Sequence, residues 1–329
     1  MIDIKRYLII GIILLQCTII KAQIFNKSKA TILYGINGHP LNQQDYLSMS
    51  INTQCEYLRK LHLNAYRVDV LLNTKGDVLK GKVRFDSLYN LTRKYNIVIL
   101  PMIYMDGIKY NETSAYNYQL GYKTSTAFLK RYNQLNYIEL GNEMNNWFKK
   151  EELAANKAKK NKRFLLMAAY LKGFTKGLKQ LKPSLKTVIG FSFSESWFLK
   201  VLDQHGVKFD IIGNNFYSNI DFNASGYAKM LKDITNYFDN RRSVWITEFN
   251  HPYGSKWADA KTQKNSLSLI YNSHKKLPLV KAVFIYELLD QPNLDVPENS
   301  SFEREFGIMS RDKSGRPYVK DVFKNIIVN

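Results

Sequence analysis

Eight short apolar segments recur along the chain, and their recurrence restricts the folds open to it more than any other feature. They fall at 31–37, 64–70, 96–104, 136–143, 186–193, 209–217, 243–249 and 281–288. Several are near-continuous runs of Val, Ile, Leu and Phe, the composition expected of parallel strands buried on both faces. Amphipathic stretches at 46–61, 163–181, 227–238, 262–274 and 318–326 lie between or after them. In the second of these, Leu166, Tyr170, Phe174 and Leu178 recur at helical spacing until Pro183 stops the pattern. Strand–helix units repeated eight times with right-handed crossovers close into a single (β/α)8 barrel, an α/β fold. An open doubly wound sheet would carry a glycine-rich phosphate turn after its first strand, and Gly35-Ile36-Asn37-Gly38-His39-Pro40 is not one.

The 329 residues suit one such barrel preceded by a leader. Lys5 and Arg6, a mostly apolar run of 14 residues at 7–20, and Lys21-Ala22-Gln23 read as an export signal over 1–22, with the barrel over 23–329. The apolar run is shorter than the roughly 20 residues of a membrane span. The mature chain is therefore expected to be secreted or periplasmic, monomeric and without stable membrane insertion. Only Cys55 survives cleavage; it shares a helical face with Ile51 and Leu58 and is expected in the core. His39, His62, His205, His251 and His274 have no ligand spacing, so neither a metal nor another cofactor is expected. The formal charge is +20, from 48 basic and 28 acidic residues. Its densest cluster, at 156–163, lacks interleaved aromatics, so nucleic acid is not the expected partner. An anionic glycan or a merely solvated lysine-rich surface would each account for the charge.

In a barrel of this kind chemistry gathers at the carboxyl ends of the strands. The fourth apolar segment runs into Glu139-Leu140-Gly141-Asn142-Glu143-Met144-Asn145, and the seventh ends Thr247-Glu248-Phe249-Asn250. Each sets a carboxylate at the last inward position of an apolar strand, where a buried charge is costly unless something uses it. Strands four and seven face each other roughly across the barrel mouth. Glu143 and Glu248 so placed can flank one scissile bond, one as acid/base and the other as nucleophile. Glu139 lies two pleats lower and reads as structural.

Glu139-Leu140-Gly141-Asn142-Glu143 resembles the Glu-Ile-Trp-Asn-Glu stretch of the clan A retaining glycoside hydrolases, and Thr247-Glu248-Phe249 resembles their nucleophile strand. The ending Phe306-Gly307-Ile308-Met309-Ser310-Arg311-Asp312, with Arg316-Pro317-Tyr318, resembles the segment after their last strand. The likeness covers the whole mature chain in element order, and is of the kind seen in family 5 cellulases and family 39. Gly141 stands where a Trp is frequent, Met144 where a Pro is, and Tyr286-Glu287 where many members carry a Trp.

The resemblance implies an exported retaining glycoside hydrolase that cleaves β-glycosidic bonds of an oligo- or polysaccharide by double displacement. Glu143 would be the general acid/base and Glu248 the nucleophile. Arg67 would be the cation that keeps the nucleophile ionised, the alternative being a salt bridge lower in the barrel with Glu139 or Asp69. Asn142 would hold the sugar 2-hydroxyl, and Tyr217 would be the strand-six aromatic beside the nucleophile. His39, Tyr286 and Glu287 are expected as wall residues. Trp147, Trp197, Tyr253 and Trp257 fall in loops after strand ends and, with Tyr104 and Tyr110, could offer rings to sugar faces, Trp257 among the binding residues. Long connections after strands three, four and eight would line an elongated groove. A barrel that binds carbohydrate without turning it over, and a transglycosylase using the same two glutamates, are the other readings of these residues.

Overall fold

The computed structural model of the chain describes residues 32–154, 157–220 and 226–323. The leader expected at 1–22 lies outside them. Eight parallel strands close into a barrel in sequential order: β1 (Leu33–Gly38), β2 (Ala65–Val70), β3 (Val98–Ile103), β4 (Tyr137–Leu140), β5 (Lys186–Ser192), β6 (Ile211–Tyr217), β7 (Ser243–Asn250) and β8 (Val280–Ile285). A helix follows each of the first seven: α1 (Ile51–Lys60), α2 (Lys82–Lys94), α3 (Ser114–Arg131), α4 (Lys162–Leu181), α5 (Trp197–Gln204), α6 (Tyr227–Tyr237) and α7 (Asp259–Ser273). The expected (β/α)8 barrel is the fold observed. Among the described residues no helix is long and apolar enough to cross a membrane.

Local chemistry sets the helix boundaries. Ser50 Oγ accepts the Thr53 N–H at 3.0 Å, Thr113 Oγ1 that of Tyr116 at 3.1 Å, and Asn161 Oδ1 that of Phe164 at 3.0 Å. Caps of this kind contribute about 1 kcal/mol each. The Ser50 cap also divides the stretch expected as one helix over 46–61 into a short turn, Gln44–Leu47, and α1. Helices α2 and α3 stand where connections were expected, so much of the link after β3 is helical rather than groove-lining loop. Of the helix expected over 318–326, residues 318–319 lie instead in β10 (Pro317–Val319), which forms a small hairpin with β9 (Met309–Arg311), and Asp321–Phe323 form one 3-10 turn. Asp312 Oδ1 accepts the backbone N–H groups of Ser314 and Arg316, each at 2.9 Å, and so closes the turn that pairs the two strands. Residues 324–329 lie outside the described residues.

The barrel interior is layered by the alternation of side chains along parallel strands. At the amino end Ala65, Val188, Ile211, Trp245 and Ala282 form an apolar plug together with Leu100 and Phe284. Above the plug the layer turns polar. Arg67 from β2 meets Glu139 from β4, while Gly190 on β5 and Gly213 on β6 stand side by side in register. A Cβ on Gly190 would lie 3.6 Å from Glu139 Oε1, so a larger residue there would compete with the carboxylate for space. Cys55 is buried on α1, as expected.

Candidate active site

Strand β7 is irregular where it reaches the mouth. Its register with β6 shifts between Asn214 and Asn215, so that Asn214 pairs with Ile246 but Asn215 with Glu248. A bulge of this kind re-aims side chains. It leaves the Glu248 carboxylate buried at the carboxyl end with two partners. Arg67 Nη1 donates to Oε1 at 2.7 Å and Tyr217 Oη donates to Oε2 at 2.7 Å. Burial and the neighbouring Glu248 charge push the Tyr217 phenol well above its usual range, which keeps it a donor.

Arg67 uses its whole fork. Nε and Nη2 donate to Glu139 at 2.5 and 3.0 Å, Nη1 to Asn37 Oδ1 at 2.7 Å as well as to Glu248, and Nη2 to Asn142 Oδ1 at 3.1 Å. The alternative offered by the sequence is thus no alternative: one guanidinium pairs with Glu139 below and with Glu248 at the mouth. Burial works against its charge, but the carboxylates of Glu139 and Glu248 outweigh it and hold the group protonated. Asn37 fixes the fork in turn, donating from Nδ2 to the carbonyls of Thr247 at 3.0 Å and Ile285 at 3.2 Å.

Glu143 reaches the same mouth differently. Strand β4 ends at Leu140, and Glu143 sits three residues beyond it, in the left-handed region at φ +45°. Asn145 docks the turn onto β5: its Oδ1 accepts the Ser192 N–H at 3.0 Å and its Nδ2 donates to Ser192 Oγ at 2.8 Å. The partners of the Glu143 carboxylate are neutral amides. Asn215 Nδ2 donates to Oε1 at 3.0 Å and Asn146 Nδ2 to Oε2 at 2.9 Å. Burial first and the Glu248 charge second raise its pKa above the usual carboxylate range. Asn142 Oδ1 accepts from both Arg67 and Asn215, the latter at 3.2 Å. Its amide N–H groups have no acceptor among the described residues and are available to a ligand.

A third group of side chains forms the wall along β1, β2 and β8. His39 Nδ1 lies 2.6 Å from Asp69 Oδ2, and Nε2 lies 3.4 Å from Glu287 Oε2. Burial alone would discharge the imidazole, but the two carboxylates outweigh it and raise its pKa to about 9. Tyr104 Oη donates to the same Asp69 oxygen at 3.1 Å. Glu287 does not face the cleft. It is fully buried, accepting from Tyr46 Oη at 2.6 Å and from Gln291 Nε2 at 2.8 and 3.0 Å, and it meets the wall only through His39. Its expected place on the wall is corrected by that burial. Tyr286, joined to Glu287 by a cis peptide bond, packs edge-on against His39 and Tyr217, with centroids 5.7 and 6.0 Å away.

The expected ring platforms separate on inspection. Trp147 is partly buried under the Arg163 guanidinium, and Trp197 packs on Phe198 while its indole N–H is taken by Glu195. Trp257 and Tyr253 keep about half of their surface exposed, at 52% and 49%, and neither makes a hydrogen bond to the two glutamates. Asn37, Asn146 and Asn215 are site residues that sequence reasoning missed. For Asn37 and Asn215, amides on strands, the signal available was a place in register beside Arg67 or Glu248. Among the described residues no group of three or more His, Cys, Asp or Glu side chains is arranged to hold a metal ion.

The chain is similar in structure to several solved enzymes. An exo-β-1,4-mannosidase from Opitutaceae bacterium strain TAV5 superposes with a TM-score of 0.63 at 14% identity, over 90% of this chain and 58% of that one. A β-glucuronidase from Bacteroides uniformis gives 0.64 at 15%, over 91% and 35%. The first two are longer proteins, of which this chain spans about half and a third. The family 53 catalytic domain from Ignisphaera aggregans gives 0.59 at 13%, over 92% and 98%. At these identities the likeness speaks for the barrel alone. No curated protein sequence matches the chain. The sequence model for glycosyl hydrolase family 53, however, matches residues 104–300, more than half of the chain and a span that contains both Glu143 and Glu248. On that match the chain belongs to glycosyl hydrolase family 53.

Proposed function

We propose that the chain is an exported retaining glycosidase that cleaves β-linked sugars with Glu143 as general acid/base and Glu248 as nucleophile. One observation carries the assignment: the two carboxylates share a mouth but not an environment. Glu248 is bonded by a permanent cation and a phenolic donor, whereas Glu143 meets only amides and has its pKa raised by burial and by the Glu248 charge. Carboxyl groups in such different surroundings can divide the labour of acid and nucleophile. In the first step Glu143 gives its proton to the glycosidic oxygen as that bond breaks, and Glu248 attacks the anomeric carbon to form a glycosyl ester. In the second, the Glu143 carboxylate takes a proton from water, whose oxygen displaces Glu248. The free N–H groups of Asn142 suit the sugar 2-hydroxyl, and His39 with Tyr104 suits the wall of the same sugar. The structurally similar mannosidase and glucuronidase, both named as β-specific, support the β preference.

The test is reducing-end release by residues 23–329 on neutral and uronic-acid β-glycans, with Glu143→Gln and Glu248→Gln alongside. Removing a general acid costs about 10²–10⁴ in rate, and removing the nucleophile should cost at least as much. Release that survives both changes overturns the assignment.

A further inference from the structure

The turn that carries Glu143 is tied to β5 by hydrogen bonds that can run in one direction only. The backbone N–H of Ser192 must donate, and Asn145 Oδ1 accepts it at 3.0 Å. That fixes which way the Asn145 amide faces. Its Nδ2 then donates to Ser192 Oγ and to Asn146 Oδ1, each at 2.8 Å. Ser192 Oγ, already an acceptor, directs its single hydrogen to the same Asn146 Oδ1 at 2.9 Å. With two donors on its oxygen, Asn146 has Nδ2 left for Glu143 Oε2, at 2.9 Å. Asn145 and Ser192 are buried, whereas Asn146 is exposed. An exposed amide ordinarily has a broad choice of torsion. This one is held from below as a fixed donor.

The other side of the carboxyl group shares the same anchor. The Phe193 N–H donates to the Asn215 carbonyl at 3.0 Å, and Asn214 Nδ2 to the carbonyls of Phe191 and Phe193 at 2.9 and 3.0 Å. The end of β5 is thereby fixed to β6 on both sides of Ser192. Asn215 is also the residue whose Nδ2 reaches Glu143 Oε1, and its own Oδ1 is fixed by Thr247 Oγ1 at 2.9 Å. Both donors to Glu143 thus refer to one point of the barrel rim, and the carboxyl plane cannot turn without breaking one of them. We propose that Ser192, Asn145 and Asn146 form a positioning relay that aims Glu143 at the glycosidic oxygen and stabilises the carboxylate left when its proton departs. The proposal rests on the retaining-glycosidase reading. In the first step the Glu143 O–H bond breaks, the hydrogen bonds to the glycosidic oxygen, and the bond from that oxygen to the anomeric carbon breaks. Asn146 transfers no proton, but its N–H faces an oxygen whose negative charge grows. A neutral donor suits this task, because a cation in its place would favour the ionised form at rest.

The experiment measures kcat/KM, which reports the first step, for the parent, Asn146→Ala, Ser192→Ala and Glu143→Ala. The substrates are β-glycosides of the sugar that the parent releases, with leaving groups graded from dinitrophenyl through phenyl to alkyl. A good leaving group departs without a proton and a poor one does not. A fault confined to the acid therefore grows with the basicity of the leaving group, whereas partial unfolding lowers every substrate alike and cancels from the comparison. Glu143→Ala should show the steepest growth. Relative to dinitrophenyl, Asn146→Ala should lose about 10- to 100-fold on the alkyl glycoside and Ser192→Ala about three- to tenfold. A loss that is equal along the series, or no loss, in either variant overturns the relay. A steep Glu143→Ala beside a level Asn146→Ala removes the relay and leaves the acid in place. A level Glu143→Ala, or a parent that turns over none of the series, overturns the acid assignment and the relay together.

Discussion

Replacing Arg67 by Met would test the electrostatic frame of the site. The substitution keeps a long apolar stem but removes the one cation that faces both Glu139 and Glu248, each buried and bonded to it at 2.5 and 2.7 Å. Breaking a buried pair by deleting one partner costs about 3–5 kcal/mol. For a domain of about 300 residues, with an unfolding entropy near 2.1 cal/mol/K per residue, that is a fall in Tm of roughly 5–8 °C. The deficit should depend on pH with a definite sign. Burial already raises the Glu139 pKa against the pull of Arg67, and without the cation it should stand higher still. Below the unfolded value both states are protonated and the penalty vanishes; above it only the unfolded chain ionises freely, and the penalty grows. The gap in Tm between parent and variant should therefore be wide at pH 7 and narrow toward pH 4.5. Loss of a charged hydrogen bond to Glu248 should also lower kcat/KM by about 10- to 100-fold. Arg67→Lys, which keeps the charge but cannot span both carboxylates, should fall between. Melting curves by circular dichroism across that pH range decide the matter. A Met variant within about 2 °C of the parent at pH 7, or a gap that does not change with pH, refutes the reasoning.

Three further outcomes are expected. Tyr217→Phe deletes the 2.7 Å donor to Glu248 while keeping the ring contacts, and should lower kcat/KM by about 10- to 100-fold with Tm little changed; unaltered kinetics would remove Tyr217 from the site. Asn215→Ala removes a donor that favours the ionised form of Glu143, so the Glu143 pKa should rise and the alkaline limb of the kcat/KM profile should move to higher pH. A limb that stays or moves down contradicts the acid assignment. His39, raised to about 9 by Asp69 and Glu287 against the pull of burial, contributes stability that is complete below the unfolded value of 6.5 and is lost as pH climbs through 9. The Tm advantage of the parent over His39→Gln should shrink across that interval, and a constant advantage would mean the imidazole is not charged.

The barrel could be read from sequence because buried parallel strands leave uninterrupted apolar runs, and a carboxylate at the end of such a run stands out. What escaped did so for definite physical reasons. Helix α3 buries Asn117, Gly121, Thr124 and Ser125, so its inner face looks polar and carries little helical period. It can do so because it lies almost backbone to backbone on α4: a Cβ on Gly173 would fall 1.9 Å from the Tyr118 carbonyl oxygen. Asn37 and Asn215 escaped because a strand-end amide serves a turn or a cap equally well. Only closure of the barrel brings Asn37 to Arg67, and brings Asn215 on β6 across β5 to Glu143 and Asn142. Glu287 was visible as a charge, but the depth that makes it a partner of His39 rather than of a ligand belongs to tertiary packing.

The two departures around Glu143 turn out to be one feature. Gly141 has φ +72°, a conformation that favours glycine, and a Cβ there would fall 2.5 Å from Met144 Sδ. Met144 is fully buried in the place that a side chain at 141 would take, so any larger residue at 141 would displace it. Between them the chain turns left-handed again at Glu143, and the Asn145–Ser192 bonds anchor the turn to β5. The Gly–Met pair therefore supplies by backbone freedom and a flexible thioether the support for the turn that presents Glu143. That turn sets the carboxylate among amides, out of hydrogen-bonding reach of Arg67, and so preserves the asymmetry on which a division between acid and nucleophile depends.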